Sequence, residues 1–334
     1  MENLTAFEYF FLLQTFCGFS NNVSELPTLH AAVLRGDVPT VTALLAQNLG
    51  VNECGSEHGT PLHAAALNGN VEIAALLLGN GAEVDAPGKK YYGTPLEVAA
   101  FNGHKDIVML LLNRGAKFNA AGEAYEGTPL HAACLNGHDD IVELFLDNGA
   151  DINAEQGAYC TPLQAAVYQE EEDALRLAKL LLGKGADVNR KGGEAGSPLQ
   201  AAVSYGNIDV VQLLLDSGAD VNASGGVFGT PLIAAAVTNS LSIAELLLDN
   251  GAKINMQSES LDTALFAAVW GNHEEMVNYL LQKGANPDLQ SGELVDVRRL
   301  AAEKGNSTII KHMSRIKFEA PISSAGLSTV ATTL

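Results

Sequence analysis

A period of about 33 residues runs through most of the chain and constrains its fold more than any other feature. The leucine of each T-P-L triplet, or its equivalent, recurs at eight places, and an arginine holds the ninth: Leu29, Leu62, Leu96, Leu130, Leu163, Leu199, Leu232, Leu265 and Arg298. Successive origins lie 33 or 34 residues apart, except for one interval of 36 residues that contains the acidic insertion YQEEEDALRLAKLLL. A fixed period of this length indicates one supersecondary unit stacked many times.

Each copy has the pattern of two short helices joined by a tight turn. In the second copy the helical runs are PLHAAALNG and VEIAALLLGNG, and Gly69 with Asn70 suits the turn between them. Ile73, Leu76 and Leu77 give the second run an apolar face that one copy cannot bury alone, so stacking is required. The insertion is expected to lengthen the second helix of the fifth copy or the turn before it.

A glycine before alanine is expected to end each second helix in a left-handed conformation. These glycines are Gly81, Gly115, Gly149, Gly185, Gly218, Gly251 and Gly284. The polar segments that follow them, such as DVNASGGVFG, are rich in turn-forming residues and predict hairpin-like loops.

These recurring motifs resemble the ankyrin-repeat family, and the tyrosine-bearing loops such as AGEAYEGTPL are similar to those of fungal ankyrin arrays. GTPLHAA, LNGN, LLLGNGA and VNA recur in register from about residue 27 to about residue 312. The resemblance implies an all-α solenoid of stacked helix–turn–helix pairs with short β-hairpin-like loops, whose concave side commonly binds partner proteins. It also implies that the motif histidines His30, His63 and His131 tie hairpin to helix through hydrogen bonds.

Three segments are expected along the chain. Residues 27–312 form one repeat domain of about nine copies, and residues 1–26, with the apolar run from Phe10 to Phe19, form a cap over the first copy. That run is shorter than the roughly 20 residues that span a bilayer, although a role at a membrane surface or in partner binding is left open. Residues 313–334 have no periodicity and are expected to be disordered.

Charge and cysteine content exclude several functions. The formal net charge of -20 opposes nucleic acid and anionic membranes and favours basic or neutral partners in the cytoplasm or nucleus. No glycine-rich nucleotide loop or metal-ligand spacing is present, so no cofactor and no metal are expected. Cys134 is expected to pack within a first helix, whereas Cys160 lies beside a loop tip where access is expected.

Function is expected to depend on the residues that vary among copies at groove positions, where aromatic anchors favour recognition. Glu97, which replaces the motif histidine, and Glu126 make the first half of the groove acidic. Glu97, Phe101 and Tyr168 are expected to face outward from the stack. The predicted binding residues are Tyr92, Glu97, Phe101, Tyr125, Glu126, Tyr159, Tyr168, Tyr205, Phe228 and Trp270.

Two classes of function remain open at this point. The first is a non-catalytic interaction module that binds a protein or peptide, with a basic partner as one candidate. The second is a groove adapted to a small molecule, with Glu97 as general acid or base assisted by Tyr92 or Tyr125. Two structural alternatives also remain: the loop tyrosines form a ladder that stiffens the loops, and Glu97 is a substitute hydrogen-bond acceptor.

Overall fold

The computed structural model describes residues 28–47, 50–55, 59–88, 93–119, 127–258, 263–289 and 297–314. Over these residues the chain forms helices in pairs and no extended strand, with two isolated β-bridges in loops. The helices are α1 (Thr28–Leu34), α2 (Val38–Leu45), α3 (Pro61–Asn68), α4 (Val71–Gly79), α5 (Pro95–Phe101), α6 (Lys105–Asn113), α7 (Pro129–Leu135), α8 (Asp139–Asp147), α9 (Pro162–Ala166), α10 (Glu171–Gly183), α11 (Pro198–Tyr205), α12 (Ile208–Asp216), α13 (Pro231–Val237), α14 (Leu241–Asp249), α15 (Ala264–Trp270), α16 (Glu274–Gln282), α17 (Val297–Lys304) and α18 (Ser307–Ser314).

The start of the first helix in each pair follows from its sequence. In α3, Thr60 has an extended backbone and is followed by Pro61, whose ring fixes a helical φ and whose missing N–H is not needed at the first helical position. Ser197 and Pro198 play the same parts at the start of α11. The Thr/Ser-Pro-Leu triplet is therefore a helix-start signal as well as a repeat marker.

The end of the second helix is set by glycine, as predicted. All seven glycines of the GA pairs have φ between 86° and 97°, in the left-handed region that other residues rarely adopt. At the end of α6, the N–H of Ala116 donates to the carbonyl oxygen of Leu111 at 3.0 Å and closes the helix.

Burial of the motif leucine and of the alanines around it forms the core. The eight leucines at the motif origin are at most 5% exposed, and Ala64, Ala65 and Ala66 of α3 are fully buried. Small side chains let α3 pack closely on α5, α5 on α7 and α7 on α9, while α4 packs on α6 and α6 on α8. Each copy thus covers the apolar face of the one before it.

Asparagine side chains in the loops join each copy to the next. The Oδ1 atom of Asn153 accepts a hydrogen bond from the Asp187 N–H at 2.8 Å, and that of Asn189 accepts from the Asp220 N–H at 2.8 Å. Because the acceptors recur with the repeat, these bonds keep neighbouring loops in register.

The insertion lengthens the second helix of the fifth copy, which confirms that prediction. Helix α10 has 13 residues, whereas α8 and α12 have nine each. Helix α9 before it is short, with five residues, and Tyr168 lies just beyond its end.

The chain divides into two compact units, residues 1–231 and residues 232–334. The first contains α1–α12; in the second, which begins one residue into α13, α15 packs on α17 and α16 on α18. A single domain over residues 27–312 stays a prediction. The predicted cap, residues 1–26, lies outside the described residues. The predicted disordered tail is residues 313–334; Met313 and Ser314 form the end of α18, so the prediction is wrong for these two residues, and the rest of the tail lies outside the described residues.

The length and polarity of the helices also bear on membrane insertion. No helix within the described ranges is long and apolar enough to cross a membrane.

Candidate functional site

The motif histidines are buried ties between copies, as the resemblance implied for His63 and His131. The Thr128 N–H donates to Nδ1 of His131 at 3.2 Å, so the proton of the neutral ring lies on Nε2, which donates to the carbonyl oxygen of Cys160 at 3.0 Å. His63 makes the same bonds with Thr60 and Gly93, at 3.0 and 2.9 Å. Burial lowers the pKa of each histidine to about 4, so both rings are neutral near pH 7.

Glutamine does the same work in the fifth and sixth copies. Oε1 of Gln200 accepts from the Ser197 N–H at 3.0 Å, and Nε2 donates to the carbonyl oxygens of Gly225 and Gly229 at 2.8 and 3.2 Å. Gln164 accepts from the hydroxyl of Thr161 at 3.0 Å and donates to the loop before α11. Histidine and glutamine are interchangeable here because each offers one acceptor and one donor at opposite sides.

Glu97 occupies this same buried position on α5. Its side chain is 2% exposed, so the expectation that it faces outward is wrong. The Thr94 hydroxyl donates to Oε1 of Glu97 at 3.3 Å, which places Glu97 in the role of a substitute acceptor at the helix start. Its predicted role in binding or catalysis stays a prediction.

Three tyrosines of the fifth and sixth copies come together, and we call Tyr159, Tyr168 and Tyr205 the tyrosine cluster. The ring centroids of Tyr159 and Tyr168 are 5.0 Å apart with an interplanar angle of 60°, and those of Tyr168 and Tyr205 are 5.9 Å apart at 76°. These are edge-to-face contacts, in which the positive edge of one ring meets the negative face of another.

Burial differs across the tyrosine cluster. Tyr159 is only 5% exposed, so this residue, which was predicted to lie at an exposed loop tip, is buried beneath the cluster's surface. Tyr168 and Tyr205 are half-buried, so these two residues are the part of the cluster that solvent reaches. The cluster therefore combines one buried tyrosine with two tyrosines that are partly exposed.

The neighbouring hairpins hold a carboxylate next to this cluster. A β-bridge between Gly192 and Gly196 closes the loop before α11, and Glu194 lies exposed at its tip. The carbonyl oxygen of Glu194 accepts from the Val227 N–H at 2.8 Å, which ties this loop to the next hairpin. Glu170, also exposed, follows Tyr168 by two residues and lies immediately before the first residue of α10.

The electrostatic effects on the tyrosines support this arrangement. Burial raises the pKa of Tyr168 to about 12, and the negative charge of Glu194 adds to the rise. Burial also raises the pKa of Tyr205, with a further contribution from the charge of Glu170. Both hydroxyls therefore stay protonated near neutral pH, and the cluster is a neutral aromatic surface edged by two carboxylates.

The remaining predicted residues lie elsewhere. Phe101 is half-buried at the end of α5, Phe228 is half-buried in the loop before α13, and neither ring joins the tyrosine cluster where the structure describes them. In the second unit, Trp270 is 58% exposed and stacks on Phe266, and Nζ of Lys304 lies 4.8 Å from its ring centroid. The predicted residues outside the described ranges are Tyr92, Tyr125 and Glu126.

Two acidic residues of the site were not predicted from the sequence. Glu194 had a usable signal, since its place among the glycines of GGEAG marks a hairpin tip. Glu170 lies within the insertion, where no other copy offers an equivalent residue for comparison.

Cys160 also departs from expectation. It is 7% exposed, so the predicted access to its thiol is wrong, and burial raises the pKa of that thiol. Its φ of 61° is in the left-handed region, and its sulfur faces Gly192, where a larger residue would collide with it. Cys134 is fully buried in α7, as predicted.

Metal-ligating residues are not grouped in the parts of the chain that the structure describes. No three histidine, cysteine, aspartate or glutamate side chains there are close enough together to hold a metal ion.

The family model for ankyrin repeats (three copies) matches the chain over residues 3–88, 87–156, 155–225 and 223–291. The chain therefore belongs to the ankyrin-repeat family, as its motifs and paired helices indicate. A comparison with curated proteins gave no match.

Proposed function

We propose that this protein is a non-catalytic interaction module that binds a partner protein or peptide through the predicted groove, with the tyrosine cluster at its centre. Ankyrin repeats are generally protein–protein interaction modules. The observation that supports this site for the present chain is the contact among Tyr159, Tyr168 and Tyr205, two of which keep accessible ring surface.

The physical case rests on the cost of ordering a binding surface. Tyrosine supplies a large contact area, and it is one of the residue types that most often dominate interface energetics. In this cluster the edge-to-face contacts already hold the rings, so less side-chain entropy is lost when a partner binds. Both hydroxyls stay protonated near neutral pH, so neither tyrosine brings a negative charge to the surface.

Charge favours a basic partner. The formal net charge is -20, and Glu170 and Glu194 are exposed carboxylates whose charges act on Tyr205 and Tyr168 respectively. Attraction between opposite charges increases the rate of encounter and helps to fix the orientation of the complex.

No observation on the described residues favours the small-molecule alternative. Glu97, its proposed acid or base, is buried and accepts a hydrogen bond from Thr94. That alternative stays a prediction from the sequence.

The test is a calorimetric titration of a partner captured with the full chain, repeated with Tyr168→Ala, Tyr205→Ala and Glu143→Ala. Each tyrosine substitution is expected to weaken binding by about 1 to 3 kcal/mol, because it removes an aromatic anchor. Glu143 is exposed on α8, away from the tyrosine cluster, and serves as the matched control. Thermal unfolding of each variant establishes that the fold is kept. Full affinity in both tyrosine variants, with a loss in the control, would place the site elsewhere.

A further inference from the structure

We infer that the tyrosine cluster receives an arginine side chain from a basic segment of the partner protein, held by the ring of Tyr205 and the carboxylates of Glu170 and Glu194. This inference rests on the proposed function, because it names the chemistry of the partner at the same site. It is supported by two observations: half-buried tyrosine rings without a cation of their own, and exposed carboxylates without an ion pair.

The accessible rings lack a cation of their own. In the second unit, Lys283 lies 5.4 Å from the ring centroid of Tyr279, and Lys304 lies over Trp270. Neither Tyr168 nor Tyr205 has such a neighbour in the described parts of the chain. The negative ring face attracts a cation, so these two rings can accept one from outside.

The two carboxylates are also uncompensated, unlike others nearby. Arg190 pairs with Glu155, and Arg176 pairs with Asp139 and Asp173. Glu170 and Glu194 form no ion pair with any described residue. A cation placed at the cluster therefore meets negative charge that the chain itself does not neutralise.

Arginine fits this combination better than lysine does. A guanidinium group is planar, stacks on an aromatic ring, and donates two parallel hydrogen bonds to one carboxylate. It is also more weakly hydrated than an ammonium group, so less free energy is needed to bring it against the half-buried ring of Tyr205. The adjacent hairpin holds the backbone of Glu194 through the bond from Val227, which limits the region that its carboxylate can reach.

The probe for this inference is Nα-acetylarginine amide, added to the full chain carrying ¹³C-labelled tyrosine. Ring resonances of Tyr168 and Tyr205, assigned with the Tyr168→Phe and Tyr205→Phe variants, are expected to shift and saturate. Nα-acetylcitrulline amide has nearly the same shape without the charge and is expected to bind about 2- to 5-fold more weakly. Equal binding of the two probes, or shifts confined to other tyrosines, would overturn the inference.

Variants of the carboxylates test the same point without disturbing the rings. Glu170→Gln and Glu194→Gln are each expected to weaken the arginine probe by about 1.5- to 5-fold, as for exposed ion pairs. Glu143→Gln on α8 is the control and is expected to change nothing. The amides of Nα-acetyllysine and Nα-acetyl-trimethyllysine are the last two probes. If either one binds more tightly than the arginine probe, the choice of arginine is overturned.

The outcome also separates this inference from the proposed function. If the partner loses affinity for the tyrosine variants while the arginine probe leaves the rings unshifted, the arginine inference fails and the interaction site stands. If the probe binds at the rings while the partner binds the tyrosine variants with unchanged affinity, the cation site stands and the proposed function fails.

Discussion

Replacing the buried motif histidines His63 and His131 by glutamine is expected to make the stability of the protein much less sensitive to acid. Gln164 and Gln200 already make the same acceptor and donor bonds at this position, so His63→Gln and His131→Gln keep the ties between copies. What the substitutions remove is a group that titrates.

The size of the effect follows from the two pKa values of each histidine. Burial holds the folded pKa at about 4, below the ordinary pKa of 6.5 for a histidine in an unfolded chain. The folded state therefore resists protonation, and this contribution to stability is complete above about pH 6.5 and is lost as the pH falls toward 4. Linkage gives a loss of about 1.4 kcal/mol per histidine between about pH 8 and about pH 5.5, or about 3 kcal/mol for the pair.

The assay is urea unfolding of the full chain and the double variant at a series of pH values over that range. Stacked copies do not always unfold together, so the curves are fitted with a nearest-neighbour model. His30 is retained in both proteins and cancels from the comparison. A double variant that loses as much stability on acidification as the parent would refute the assignment of buried, neutral rings at these two positions.

Three other perturbations test the packing of the array. Leu130→Ala is expected to lower the free energy of unfolding by about 2 to 5 kcal/mol, because Leu130 is 1% exposed and its truncation leaves a cavity. An unfolding curve that matches the parent would contradict this prediction. Gly115→Ala is expected to cost about 1 to 2 kcal/mol because its φ is 86°, whereas Gly79→Ala, inside α4 with open space around it, should leave the melting temperature equal or higher. Deletion of residues 1–19 is expected to reduce solubility, as measured by light scattering, and a monomeric variant with an unchanged melting temperature would make the segment an accessory.

The repeat boundaries were predictable because their signals are local. The proline that starts six of the first helices, the glycine that ends the second helix in seven copies and the leucine buried between copies all act within a few residues of their own position. The lengthening of α10 was predictable for the same reason. The fifth copy is three residues longer than its neighbours, and those residues have to be placed within that copy.

Burial of individual site residues was harder to predict because it depends on contacts about 30 residues away. Glu97 differs from the motif histidine in charge, and this variation suggested a surface position, yet the position is covered by the stack in every copy where histidine or glutamine is seen. The tyrosine cluster poses the same difficulty, since Tyr168 and Tyr205 meet only after two copies have stacked. The left-handed backbone at Cys160, which turns the thiol inward, has no signal in its residue type.

The asparagine bonds between loops imply that the array tolerates change in whole copies. Each bond joins one copy only to its neighbour, and Asn153 still reaches Asp187 although the 13-residue helix α10 lies between them. Extra helical residues are thus accommodated without loss of register on the loop side. A gene duplication that adds one copy, or a recombination that removes one, leaves every other pair of neighbours intact, whereas an insertion within a loop breaks the bond at that point.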